Sequence, residues 1–283
     1  MSEPHAAPVL IRRPIPRSGE TLPVVGLGTW QTFDVGPTDP RRADLQRVLA
    51  ALVAGGGRVV DSSPMYGESE RVVGDLTHEL NNRLQLFFAT KVWTSGRDAG
   101  IRQMETSFRL MRTRVMDLMQ IHNLVDHDVH LRTLREWKSA GRIRYLGITH
   151  YHSGAYAELE RLVETGHYDF IQFNYSLDEP EAEDRLLPAC AASGTAVLVN
   201  RPFAQAGLFG KVRGKPLPDW AGELQITSWA QYFLKWILGH AAVTCVIPGT
   251  RRVEHLQDNL AAATGPLPDA AMRRRMRDYL QNL

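Results

Sequence analysis

Asp61, Tyr66, Lys91 and His122 form a set of side chains able to give a proton to an oxygen that is gaining negative charge. A tyrosine phenol ordinarily titrates near about 10, too high for efficient proton transfer near neutrality. A neighbouring ammonium favours the phenolate and draws that value down. A buried lysine would shed its own proton unless a carboxylate held its charge, and Asp61 supplies one. A histidine on an adjacent strand can orient a carbonyl oxygen or share its proton. The set suits an aldehyde or ketone whose oxygen becomes negative as hydride reaches carbon. None of the four donates hydride, so a nicotinamide cofactor has to be supplied.

The four lie in separate segments, so a frame must bring them together. Eight short apolar runs read as buried parallel strands, near 24–28, 58–61, 86–90, 115–122, 144–148, 169–173, 195–199 and 243–247. Stretches with 3.6-residue apolar spacing lie between them. One spans 41–56, with Leu45, Val48, Leu49 and Leu52 on one face and Gly55 to Gly57 ending it. Another, over 153–166, has Ser153 as N-cap and Gly166 as stop. The eighth helix begins near Arg252, and an extra amphipathic helix follows Pro268. Before the first run, Ser18-Gly19-Glu20 marks the turn of a hairpin.

Eight such units predict an α/β fold, a (β/α)8 TIM barrel, over residues 9–283 as a single domain after a disordered tail at 1–8. The first run is followed by GLGTWQ, which lacks the three glycines of an open dinucleotide-binding sheet. In such barrels reactive groups sit at the C-terminal strand ends. There the second run ends in Asp61, the third in Lys91 and the fourth in His122, with Tyr66 on the loop after Asp61. The fifth ends in Thr149-His150, the sixth supplies Gln172, and the seventh and eighth end in Asn200-Arg201 and Gly249-Thr250. A lone Asp, Lys or His at a strand end is commonly a solvated loop residue, and Tyr66-Gly67 could cap the next helix. On spacing alone both readings stay open.

Composition narrows the class. A hydrophobic share of 43% and a charged share of 23% are ordinary for a soluble enzyme. A net charge of +2 supplies no field for nucleic acid or a membrane surface. Cys190 and Cys245 each sit in an apolar run, giving neither a disulfide framework nor metal-ligand spacing. No apolar run reaches the roughly 20 residues that span a bilayer. The N-terminus lacks the apolar centre of a signal peptide, and Arg12-Arg13 is followed by Pro14 and polar residues. A reducing, cytoplasmic setting is expected.

The segments GLGTW (26–30), Asp61-Ser62-Ser63 continuing into PMYGESE (61–70), ATKVW (89–93), DLMQIHN (117–123), GITH (147–150), IQFNYS (171–176) and IPGTRRVEHLQDN (247–259) resemble the aldo-keto reductase superfamily in order and spacing. The resemblance runs from the hairpin to about Asn259. It implies a barrel closed at the bottom by the hairpin, with a nicotinamide cofactor across the top. It implies a catalytic tetrad of Asp61, Tyr66, Lys91 and His122, with Tyr66 as general acid in NAD(P)H-dependent carbonyl reduction. Gln172 would hold the nicotinamide carboxamide, with Gly28, Thr29 and Trp30 beside the ring and the substrate. The Gly249-Thr250 turn would take the adenosine phosphate on free N–H groups at a helix start, with Asp258 and Asn259 further along that helix.

Three departures from the family pattern bear on the cofactor. Thr149-His150 stands where many members carry Ser-Asn. Asn200-Arg201 stands where many place a stacking tyrosine, and Arg201 would stack through its guanidinium or contact the pyrophosphate. Gly249 and His255 replace a lysine and an arginine, so charge for a 2′-phosphate falls to Arg251 and Arg252. No acidic residue intervenes before Glu254, so NADPH is expected over NADH. The chain runs only briefly past its last helix, which predicts an open pocket lined by Trp30, Phe33, Trp93 and Phe203 for an apolar or aromatic carbonyl compound. Trp229 and Trp236 are assigned to the core. Two rivals remain: a Schiff-base aldolase with Lys91 as nucleophile, and a reductase-like barrel serving as a cofactor-binding redox sensor.

Overall fold

The computed structural model describes residues 9–283, and the tail expected at 1–8 lies outside the described residues. Gly19, at φ +73°, turns the chain so that β1 (Arg12–Pro14) pairs antiparallel with β2 (Thr21–Pro23). Strands and helices then alternate: β3 (Leu27–Gly28), α1 (Arg42–Ala54), β4 (Val59–Asp61), α2 (Ser69–Glu79), β5 (Phe87–Val92), α3 (Arg97–Leu110), β6 (Met116–His122) and α4 (His127–Ser139). The pattern continues through β7 (Ile143–Thr149), α5 (Tyr156–Glu164), β8 (Phe170–Asn174), α6 (Leu186–Ser193) and β9 (Ala196–Asn200). Two helices, α7 (Gly207–Lys211) and α8 (Trp229–Leu238), precede β10 (Val243–Val246); α9 (Val253–Ala261) and α10 (Ala270–Gln281) complete the order.

Strands β3 to β10 lie side by side in chain order, all parallel. The ring closes where Val25 and Gly28 meet Val246 and Gly249 in isolated parallel bridges. A Cβ at Gly28 would stand 2.7 Å from the Ile247 carbonyl oxygen, so this approach requires glycine. β3 is shorter than the apolar run 24–28 because the run's start bonds to β10 instead. Gly26 donates to the Val246 carbonyl and Val246 to that of Val24, both at 2.9 Å.

Two apolar cores result. Inside the barrel, Val59, Phe87, Leu118, Phe170 and Leu198 pack with Ile15 and Leu22 of the hairpin, which seals the end where the strands begin. Outside it, helices cover the strands. α1 turns Leu45, Val48, Leu49 and Leu52 inward, a spacing of three and four that makes one face of a helix. Each such burial is worth about 1.5–3 kcal/mol relative to exposure. Arg13 fastens the hairpin to the barrel by donating to the carbonyls of Leu238 and His240. The opposite end, where the strands finish, is left open for the cleft.

One helix start differs from the sequence reading. Ser153 gives no side-chain cap; Ser153–Ala155 forms a 3-10 turn closed by Ala155 N–H on the His152 carbonyl at 3.2 Å, and α5 begins at Tyr156.

Candidate active site

Side chains on a strand alternate between faces, so residues two apart share one. Val59 and Asp61 on β4, Ala89 and Lys91 on β5, and Gln120 and His122 on β6 therefore point along the same inner wall. The ladder pairs Asp61 with Ala89 and Lys91 with Gln120. The apolar members fill the barrel, and the polar ones form a layer above them at the strand ends.

Lys91 is fully buried. Its Nζ donates to Asp61 Oδ2 at 2.8 Å and to the Ser62 carbonyl at 2.6 Å. Burial works against the ammonium, but the Asp61 carboxylate and the nearby Tyr66 phenol more than offset it and hold the Lys91 pKa above its usual value. The second Asp61 oxygen accepts from Gln172 Nε2 at 2.9 Å and Gln120 Nε2 at 3.3 Å. Tyr66 lies on the loop between β4 and α2, and Lys91 Nζ is 5.0 Å from its ring centre. Burial pushes the phenol pKa up; Lys91 pulls it down, as the sequence led one to expect, but burial prevails.

His122 packs edge-on to Tyr66, with ring centres 6.2 Å apart. Burial first, then the positive charge of Lys91, pushes the imidazole pKa down to about 3, so the ring is neutral near pH 7. Its Nδ1 is 3.1 Å from Ser63 Oγ. If the hydroxyl donates there, Nε2 carries the hydrogen. Sequence reasoning passed over Ser63, although it sits inside the 61–70 segment. It also passed over Glu70, a buried carboxyl on α2 that accepts from Thr90 Oγ1 at 2.5 Å and Ser107 Oγ at 3.1 Å. Burial raises its pKa.

A cleft of about 1180 Å³ opens over this layer. Its walls run from Tyr66, Trp93 and His122 to Thr250, just before α9, and His255 and Asn259 on that helix. Trp30 and Trp93, 41% and 40% exposed, stand at the mouth. Phe203 lines it too, against Phe209 with ring centres 4.9 Å apart. Phe33 does not: it is fully buried in the outer core, because the turn from Thr29 (Phe33 N–H on the Thr29 carbonyl, 3.0 Å) swings it inward. Trp229 corrects the opposite assignment. As the first residue of α8 it lines the cleft, its indole N–H on the Lys215 carbonyl at 3.0 Å, whereas Trp236 is core.

The residues expected at a cofactor fall into two groups. Gly28, Thr29, Trp30, Gln172, Asn200, Arg201, Gly249, Thr250, Asp258 and Asn259 line the cleft. Thr149 lies beneath it, donating to Gln172 Oε1 at 3.1 Å. His150 turns aside to stack on Tyr151, 5.3 Å between ring centres. Arg251 and Arg252 are exposed and off the wall, and Arg252 approaches Glu254 at 3.7 Å. Asp258 is engaged by Ser228 Oγ and Gln231 Nε2, both at 2.7 Å. The Asn200 side-chain oxygen is buried without a partner. That acceptor, the lack of side chains at Gly28 and Gly249, and a cleft of this volume fit a nicotinamide dinucleotide.

The Aldo/keto reductase family model matches residues 24–276. The chain belongs to the aldo/keto reductase family. Methylglyoxal reductase YeaE of Escherichia coli K12 is 27% identical over 258 residues, 89% of each chain. The NADH-specific methylglyoxal reductase of the same strain is 24% identical, covering 95% of this chain and 98% of its own. Among solved structures, an aldo/keto reductase from Klebsiella pneumoniae in complex with NADP and acetate superposes with a TM-score of 0.76, at 25% identity and 93% of each chain. An aldo-keto reductase from the same organism in complex with NADPH shares the fold with a TM-score of 0.80, at 24% identity and 96% of each chain. As an aldo/keto reductase, the chain carries out NAD(P)H-dependent carbonyl reduction. Neither the Schiff-base nor the redox-sensor alternative finds support. Lys91 Nζ, buried and bonded to Asp61 and Ser62, is not presented as a nucleophile.

Proposed function

We propose that this reductase converts aldehydes or ketones to alcohols with NADPH, with Tyr66 delivering the proton. The observation that carries the reading is the buried Lys91–Asp61 pair beside a phenol that burial keeps protonated. When bound, the nicotinamide supplies the hydride. The chain's own residues handle the oxygen. Neutral His122, with hydrogen on Nε2 when Ser63 donates to Nδ1, orients the carbonyl oxygen beside the Tyr66 phenol. As charge develops there, the phenol gives up its proton. The Lys91 ammonium then stabilises the phenolate, while Asp61 keeps Lys91 charged. The low barrel floor, packed with apolar side chains, keeps water from beneath.

Gln172, fixed between Asp61 and Thr149, and Asn200, with its free acceptor, would hold the carboxamide end of the cofactor. The turn at Gly249 and Thr250, where Thr250 Oγ1 accepts from Arg252 N–H at 3.1 Å, would hold the adenosine end. Arg251 and Arg252 follow that turn and would supply charge for a 2′-phosphate. The NADP(H) complexes of the Klebsiella relatives favour this choice, and the NADH-specific Escherichia coli relative stands against it. Trp30, Trp93 and Phe203 would give the substrate an apolar wall. We place this activity in residues 9–283 acting as one domain, in the cytoplasm. The test is a panel of aldehydes and ketones followed by nicotinamide absorbance with NADPH and with NADH. Carbonyl-dependent oxidation of NADPH is expected; no turnover on any compound despite cofactor binding would overturn the reading.

A further inference from the structure

Arg201 is the single lysine or arginine among the described residues that line the cleft. It follows β9 at φ +49°, a conformation that non-glycine residues seldom adopt. Its guanidinium carbon lies 4.7 Å from the ring centre of Tyr151 and 5.8 Å from that of Trp30. Planar guanidinium groups stack well on aromatic faces. With its amide oxygen facing Arg201, Gln205 accepts from both terminal nitrogens, at 2.8 and 3.2 Å. An arginine has five N–H donors, so others remain for a ligand.

Among the described residues, no carboxylate of the cleft serves this cation. Asp61 is paired with Lys91, and Asp258 is bonded to Ser228 and Gln231. The side chain also lies toward the catalytic end. It touches Trp30 at the mouth, and its charge acts on the Tyr66 phenol in the direction that favours phenolate. The adenosine end is marked instead by Thr250, His255 and Asn259. A planar cation set against two aromatic rings, lacking an acidic partner and on the catalytic side of the cleft, matches an anionic group on the reacting molecule.

We propose that Arg201 reads a carboxylate or phosphate on the substrate, so that the preferred substrates are aldehydes or ketones with an apolar body and an anionic group. This rests on the carbonyl-reductase reading above, and it departs from the cofactor contact expected of Arg201. The two sources of anion, substrate and cofactor pyrophosphate, call for separate arms in the test.

The experiment compares 4-carboxybenzaldehyde with its methyl ester, using NADPH and the full chain, in wild type, Arg201→Met and Arg201→Lys. A charge-assisted, bidentate contact predicts a wild-type preference for the acid of about 10- to 100-fold in kcat/KM. Arg201→Met should abolish that preference, and Arg201→Lys, a point charge without the fork, should restore part of it. NADPH affinity, read from quenching of tryptophan fluorescence, should change by less than about threefold, well short of the loss of a charged contact. Equal use of acid and ester by the wild type would overturn this inference and leave carbonyl reduction standing. A weakening of NADPH binding by about tenfold or more in Arg201→Met would assign the guanidinium to the cofactor instead. Reduction of neither compound, nor of any other carbonyl, would remove the underlying reading and this inference with it.

Discussion

Replacing Lys91 by Met removes one charge from the centre of the site while keeping the length of the side chain. The ammonium lies 5.0 Å from the Tyr66 ring centre. At an effective dielectric constant of about 20, a unit charge at that distance stabilises a phenolate by about 3 kcal/mol. Losing it should slow proton delivery by about two orders of magnitude. The pH profile moves as well. The phenol must be protonated to reduce, so activity falls as pH rises through its pKa. Without Lys91 that pKa rises further, and the alkaline limb moves up. In the alcohol-oxidising direction the phenolate is the base, so activity should appear only at higher pH. Stability falls too: Asp61 becomes a buried carboxylate held only by Gln120 and Gln172, and breaking such a pair costs about 3–5 kcal/mol. Asp61→Asn combined with Lys91→Met should recover much of that loss, which separates folding from chemistry. The assay is kcat against pH in both directions, alongside thermal unfolding. A folded Lys91→Met enzyme with near wild-type rate and an unmoved alkaline limb would refute the electrostatic role.

Two further predictions concern residues around the site. Ser63→Ala should remove the hydroxyl that fixes the His122 ring; losing about 0.5–1.5 kcal/mol lowers kcat/KM by about 2- to 10-fold, with NADPH affinity unchanged. An unaltered kcat/KM would show that Ser63 does not set the tautomer. Arg251→Ala and Arg252→Ala should erode a 10- to 100-fold preference for NADPH, of the size about 1.5–3 kcal/mol of charged hydrogen bonding gives, while leaving NADH binding nearly as it was. Equal efficiency of the wild type with both cofactors would contradict the assignment.

The frame was legible because barrel strands are buried on both faces and therefore read as continuous apolar runs; all eight runs became strands. The stripe of Leu45, Val48, Leu49 and Leu52 was equally plain. Asp61, Lys91 and His122 could be found because each closes an apolar run, and their geometry follows from the ladder register. What escaped the sequence depends on where a side chain turns. Phe33 stands three residues after Trp30, but a tight turn sends one ring inward and leaves the other at the mouth. Trp229 shares the apolar helix pattern of Trp236, yet its place at the start of α8 exposes it to the cleft. His150 stands just past the end of β7, where its ring stacks on Tyr151 and does not line the cleft as His122 does. Ser63 and Glu70 carry no periodic signal; their partners, His122, Thr90 and Ser107, lie on other elements and meet them only in the folded chain.

If Tyr66 supplies the proton, Tyr66→Phe removes the donor and nothing else, because the substitution takes away only the hydroxyl. Carbonyl reduction should be measured with saturating NADPH beside NADPH affinity from fluorescence quenching. The expected result is a fall in kcat of at least about 10²-fold, the worth of a positioned general acid, with cofactor affinity unchanged. Retention of more than about a tenth of the wild-type rate, against that expected loss, would contradict it.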